Sequence, residues 1–117
     1  MADKNLSKIL DIILDFRDAR NWKQFNNPKD MALSLVLEST EVLEHFQWKN
    51  GEEVEDYIRQ NKSAISEELA DVLYWVLLLS HDMDIDPLEA LSEKMKKNEL
   101  KYPLEKSKGK HKKYTEL

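Results

Sequence analysis

Apolar side chains at Leu6, Ile9, Leu10, Ile13, Leu14 and Phe16 recur with a helical period and predict a helix over 6–17, capped by Asn5 or Asp3. The pattern breaks from Asn21 to Asn27, where Trp22 and Phe25 stand in an otherwise polar segment. Asn27-Pro28 predicts a helix start, with Asn as cap and Pro in the first turn. That helix is expected to run to about Trp48, ahead of Asn50-Gly51. Glu52 to Gln60 predicts a short connecting helix, and the Asn61/Ser63 region is expected to cap the next one, which ends near Met83. From Leu69 to Leu79 every residue is apolar or aromatic except Asp71. Such a run is too long for an ordinary strand and too short to span a bilayer, so it reads as a buried helix. Asp86-Pro87 opens a last helix to about Tyr102-Pro103, and residues 104–117 read as a loose lysine-rich arm.

The sum is four substantial helices, one short one and no convincing strand: an all-α fold, expected as a four-helix bundle with one short extra helix in a single domain over 1–103. Two central helices are apolar around most of their circumference, more than one short chain needs for its own core. This predicts a self-associated protein, a homodimer or a homotetramer built as a dimer of dimers.

Acids interrupt both of these helices. Glu38 and Glu41 share one face at i, i+3, with Leu35 and Val42 on one side and Leu37 on the other, so the face is expected to point inward. Glu68 and Asp71 repeat the spacing inside the most apolar stretch of the chain. Ionised carboxylates in such a setting need compensation, and like charges on one face repel. A bound cation supplies the compensation. Oxygen donors without sulfur or imidazole select Mg²⁺, Mn²⁺ or Ca²⁺. A di-iron bundle would need Glu-x-x-His on two helices. His45 is preceded at that spacing by Val42 and His81 by Leu78, which excludes it.

Charge and composition narrow the class further. Of 18 basic and 23 acidic residues, nine lysines and only three glutamates fall in 94–117, leaving an acidic body with a basic end. That distribution does not suit a nucleic-acid polymer as partner. It suits a site where metal-binding acids meet phosphate-binding lysines. Lys94, Asn98 and Lys101 lie at i, i+4, i+7, one stripe carrying two cations and an amide, and Trp22, Phe25, Trp48 and Trp75 are candidates to hold a base. The absence of cysteine removes thiolate catalysis and Cys-based metal sites. With neither a secretory pattern nor a membrane-length apolar run, a cytoplasmic protein with no membrane partner is expected.

At this level of detail the residues resemble a known family, the MazG-like nucleoside triphosphate pyrophosphohydrolases, in particular the dCTP pyrophosphatase branch. The resemblance is carried by Trp22-x-Gln24-Phe25, Pro28, Glu38-x-x-Glu41, Phe46-Gln47-Trp48, Glu67-Glu68-Leu69-Ala70-Asp71-Val72-Leu73, Lys94-Met95-x-x-Asn98-x-x-Lys101-Tyr102-Pro103 and the closing Lys113-Tyr114-Thr115-Glu116-Leu117. It implies a Mg²⁺-dependent hydrolase, with Mn²⁺ as the alternative ion, that cuts the α–β phosphoanhydride of a (deoxy)nucleoside triphosphate, dCTP or a modified analogue, to monophosphate and pyrophosphate. By the same resemblance Glu38, Glu41, Glu68 and Asp71 are the metal ligands, and Lys94, Asn98 and Lys101 take the phosphates. Trp22, Phe25, Trp48 and Trp75 are expected around the base, and Glu41 or Glu67 accepts the proton of the attacking water. Animal members carry histidine near the base where this chain has Ile13 and Asn26, and tyrosine where it has Trp75. The alternative from another class is a non-catalytic helical oligomer that binds nucleotide or cation as a regulator.

Overall fold

The computed structural model describes residues 5–116, and among them every regular element is helical. Asp3, one of the two expected caps, and Leu117 of the closing motif lie outside the described residues. The chain divides into two compact units, Met1–Asp84 and Ile85–Leu117.

In the first unit, helix α1 spans Leu6–Ala19, α2 Pro28–Glu44 and α3 Glu52–Asp82, with a single 3₁₀ turn, Lys23–Phe25, between α1 and α2. Local chemistry sets the starts. The Asn5 side chain accepts from the Lys8 N–H at 3.0 Å, and that of Asn27 from the Asp30 N–H at 2.9 Å, each satisfying a donor with no partner inside its helix. Pro28 occupies the first turn of α2, where a missing N–H costs nothing.

Helix α2 stops at Glu44, before the expected Trp48. The reason lies in residues 45–49. The Phe46 N–H turns back to the Leu43 carbonyl at 2.9 Å, and the Lys49 ammonium donates to the carbonyl of His45 at 3.0 Å. His45 itself is held by Tyr57, with 2.6 Å between Nδ1 and the phenol oxygen.

The short connecting helix and the long one after it form a single element, α3, kinked at Asn61, whose φ/ψ of −125°/23° leaves the helical region. There the side-chain amide donates to the Tyr57 carbonyl at 3.0 Å, competing with the backbone ladder. The expected boundary is thus a bend in a continuous helix.

Helices α2 and α3 make the most extensive contact, and α1 packs on α3. The core is small: Ile13, Met31, Leu77 and Leu78, surrounded by Leu6, Ile9, Leu14, Tyr74, Trp75 and Leu79. Arg17, 2% exposed, forms a two-pronged ion pair with Asp82 at 2.7 and 3.1 Å and fastens α1 to the end of α3.

Within one chain the two apolar helices are only partly covered. Leu69 and Leu73 in α3 are 53% and 54% exposed, and Leu33, Val36 and Leu37 in α2 are 57%, 59% and 59% exposed. An apolar run does not say which part of it meets the chain's own core. In this chain one face does, and the other lies open.

In the second unit, α4 spans Pro87–Lys101, capped by Asp86, whose carboxylate accepts from the Leu88 and Glu89 N–H groups at 3.0 and 3.1 Å. The segment expected to be loose carries a short helix, α5, at Leu104–Ser107 and a 3₁₀ turn at Tyr114–Glu116. Tyr114 packs edge-on to Tyr102 with ring centres 6.2 Å apart, and the Lys101 ammonium lies 4.9 Å from the centre of its ring. These contacts tie the closing residues to the end of α4.

Candidate active site

The i, i+3 spacing puts Glu38 and Glu41 one turn apart on α2 and Glu68 and Asp71 one turn apart on α3. Because α2 and α3 pack together, three of these acids converge. Glu38, Glu41 and Glu68 each present a carboxylate oxygen, and these oxygens lie within 4.8 Å of one another. Asp71 lies outside that set. Its charge still acts on Glu38 and Glu68, and it lines a cavity beside Glu38.

The acids face each other but are not sealed in. Glu38 and Glu68 are half-buried, whereas Glu41 and Asp71 are exposed, which corrects the expectation that the whole face points away from solvent. Glu67 is also exposed and falls outside the convergent set.

The electrostatics are those of a site crowded with negative charge. Hydrogen bonding of the protonated Glu68 toward Glu41, followed by partial burial and the charges of Glu41, Asp71 and Glu38, raises the pKa of Glu68 from 4.5 to about 7. Burial, then a hydrogen bond and the charge of Glu41, raises that of Glu38 as well. Two carboxyl groups can share a hydrogen bond only through a proton, so their approach favours the protonated form when no other cation is bound. One acceptor remains unused: Glu38 Oε2 is buried with no hydrogen-bond partner. An orphaned carboxylate oxygen beside two further carboxylates is a donor set suited to a hard divalent ion.

The cavity next to the acids has a volume of about 460 Å³ and is lined by Ile12, Ile13, Phe16, Trp22, Asn26, Glu38, Asp71, Tyr74 and Trp75. One end carries carboxylates and the remainder is mainly aromatic and aliphatic, with the amide of Asn26 among it. Trp22 is braced edge-on against Phe16 at 5.5 Å, and the Arg20 guanidinium lies 3.9 Å from the centre of the Phe16 ring. The backbone N–H of Trp22 donates to the Arg17 carbonyl at 3.1 Å, so the buried Arg17 also fixes the loop carrying this wall. Tyr74 and Trp75 meet edge-on at 5.0 Å. Burial raises the pKa of the Tyr74 phenol, against an opposing pull from Arg17 and Arg20.

Of the four aromatic residues considered for a base, Trp22 and Trp75 line this cavity. Phe25 and Trp48, 66% and 82% exposed, do not. Ile12, Phe16 and Tyr74 are walls that sequence reasoning did not single out. The signal existed: Ile12 and Phe16, at i, i+4, form a second apolar stripe beside the Ile9/Ile13 stripe of α1. His45 is engaged with Tyr57 and His81 is exposed at a helix end, so neither belongs to the acidic set.

In the second unit, Lys94, Asn98 and Lys101 lie along α4 as their spacing predicts. The adjacent Lys101 charge and its hydrogen bond, with lesser contributions from desolvation and Lys97, hold the pKa of Lys94 below the usual lysine range. Asn98 is half-buried, and its amide nitrogen lies 3.7 Å from Met95 Sδ.

Against this geometry, residues 33–117 match the model of the MazG-like family. The chain belongs to that family. Two relatives of this MazG-like chain are dCTP pyrophosphatase 1 from Bos taurus and from Homo sapiens. The first is 34% identical over 118 residues, covering 99% of this chain and 70% of that one. The second is 36% identical over 118 residues, covering 98% and 69%. The crystal structure of a pyrophosphatase from Archaeoglobus fulgidus superposes with a TM-score of 0.82 at 39% identity, covering 88% of the MazG-like chain and 96% of its own. Among the described residues, no helix is long and apolar enough to cross a membrane.

Proposed function

We propose that this MazG-like chain is a nucleoside triphosphate pyrophosphohydrolase that cuts the α–β phosphoanhydride to release monophosphate and pyrophosphate. We assign a pyrimidine deoxynucleotide such as dCTP, or a modified analogue, as its substrate. The observation that carries this reading is the meeting of three carboxylates, one with an orphaned buried oxygen, at the edge of an aromatic cavity. The relatives named dCTP pyrophosphatase and the solved pyrophosphatase support it.

Glu38, Glu41 and Glu68 would hold Mg²⁺, with Mn²⁺ as the alternative, and Asp71 would complete the acidic set. A bound divalent ion supplies charge neutralisation on the phosphates and lowers the pKa of a coordinated water. The protein side of the reaction falls to its own residues. Trp22 and Trp75 flank the base, orienting the nucleotide so that its phosphates reach the acidic end of the cavity. Glu41, whose carboxylate lies within 4.8 Å of those of both Glu38 and Glu68, is the one we assign to accept the water's proton, in preference to the outlying Glu67. Lys94, Asn98 and Lys101 are assigned to phosphate oxygens, because two ammonium groups held against each other are relieved by an anion.

The open apolar faces of α2 and α3 support a further assignment, that the chain functions as a homodimer or a dimer of dimers. The activity is tested by incubating canonical and modified dNTPs with and without Mg²⁺ and resolving products by chromatography. Monophosphate and pyrophosphate, formed only with metal, are expected. Diphosphate with inorganic phosphate would replace this reading by a phosphatase. Binding without turnover would replace it by the regulator.

A further inference from the structure

The segment between α1 and α2 holds four side-chain amides: that of Asn21 is exposed and outside the cavity lining, and two of the other three are committed. Gln24 donates to the Asn21 carbonyl at 2.9 Å, and Asn27 caps α2 while donating to Asp30 at 2.7 Å. Asn26 differs. Its backbone N–H is anchored to the Lys23 carbonyl at 3.0 Å, it is half-buried, and it lines the cavity, yet its side-chain amide has no hydrogen-bond partner among the described residues. The residue is fixed in place while nothing fixes which way its amide points.

We infer that Asn26 is the specificity-determining residue that meets the edge of the base, and that its freely turning amide lets the cavity take amino and keto bases alike. This rests on the reading of the cavity as a base site. Trp22 and Trp75 offer π-faces, which stack with any base. The cavity's carboxylates, Glu38 and Asp71, belong to the acidic end assigned to the phosphates. The Asn26 amide carries two donors on nitrogen and an acceptor on oxygen. With nitrogen forward it donates to the 4-oxo group of thymine or uracil. Turned over, it accepts from the 4-amino group of cytosine. A side chain locked in one orientation would reject one of the two by a factor on the order of 10⁴. No such lock is present here.

The test uses two readouts on the full chain: tryptophan fluorescence titrations with dCMP and dTMP in metal-free buffer, and kcat/KM for dCTP and dTTP with Mg²⁺. For the wild type the two nucleotides are expected to agree within about tenfold in each readout. Asn26→Asp presents an ionised carboxylate, which only accepts, so the cytosine-to-thymine ratio should rise at least about tenfold in both readouts. Asn26→Leu should weaken both nucleotides and leave the ratio unchanged. A wild-type preference above about a hundredfold, or an Asn26→Asp ratio equal to the wild type's, overturns the inference while leaving the base site standing. Absence of any fluorescence response to either monophosphate overturns the base site, and this inference with it.

Discussion

Glu38 of α2 and Glu68 of α3 bring carboxylate oxygens of two different helices within 4.8 Å of each other, and Glu41 joins both. Nothing in helix packing requires this. Apolar residues at those positions would pack without repulsion, so the arrangement costs stability that a ligand must offset.

Removing Glu68 should therefore act on activity and stability in opposite directions. Glu68→Gln is expected to lower turnover at least about a hundredfold, as loss of a metal ligand does. In metal-free buffer above about pH 7, where Glu68 is ionised, it should raise the thermal midpoint by relieving like-charge repulsion. Steady-state kinetics and calorimetry on the same preparation check both.

The raised carboxylate pKa values give a pH signature. The folded, metal-free protein keeps a proton on Glu68 up to about pH 7, while the unfolded chain releases it near 4.5. The folded state thus binds more protons across that window, and the contribution of Glu68 to stability is full below 4.5 and lost as pH rises through 7. With chelator present, the urea midpoint of the wild type relative to Glu68→Gln should fall between about pH 5 and pH 7.5. Added Mg²⁺ should flatten the slope. A difference independent of pH would contradict the assignment.

The buried Arg17 pairs with Asp82, whose side chain is 15% exposed, and this holds α1, and with it the Trp22 wall, onto α3. Asp82→Ala leaves the Arg17 charge buried and unpaired, which should cost about 3–5 kcal/mol of unfolding free energy by urea titration. Loss of less than about 1 kcal/mol would mean that water replaces the carboxylate.

Removing one wall of the cavity should weaken the nucleotide. Trp22→Ala is expected to raise KM about tenfold, the scale of one lost stacking contact. Phe25→Ala, on the same loop but outside the cavity, should leave KM near the wild-type value.

The open apolar face predicts association. Sedimentation should give a dimer or tetramer mass, and Leu37→Glu or Leu73→Glu should shift it toward the monomer. A wild-type monomer at micromolar concentration would contradict the assignment.

What could be read from sequence was what is local. Asn5, Asn27 and Asp86 cap the helices whose starts they mark, because a cap acts within three residues. The acidic spacing was legible for the same reason, since i, i+3 places two side chains on one face whatever surrounds them. The end of α2 was not, because it depends on Lys49 capping His45 and on Tyr57 arriving from the next helix. Burial was not legible either. Leu73 and Leu77 lie in the same apolar run one turn apart, yet Leu77 enters the core and Leu73 lies open, a distinction made by α1 and α2 and not by their own segment. The cavity needed both kinds of information. Trp22 and Trp75 were conspicuous by type, but Phe16 read only as one apolar position of a helix and Ile12 was not singled out until α1 was placed against α3.

The most direct test of the central claim compares product-resolved dCTP hydrolysis by the wild type and by Glu38→Gln across a Mg²⁺ titration. Glu38 carries the orphaned oxygen of the acidic set, so its replacement separates a metal-holding role from a structural one. The account predicts metal-dependent formation of dCMP and pyrophosphate by the wild type, and turnover at least about a hundredfold lower in a folded Glu38→Gln. Equal turnover by the two proteins, with the same Mg²⁺ dependence, would contradict it.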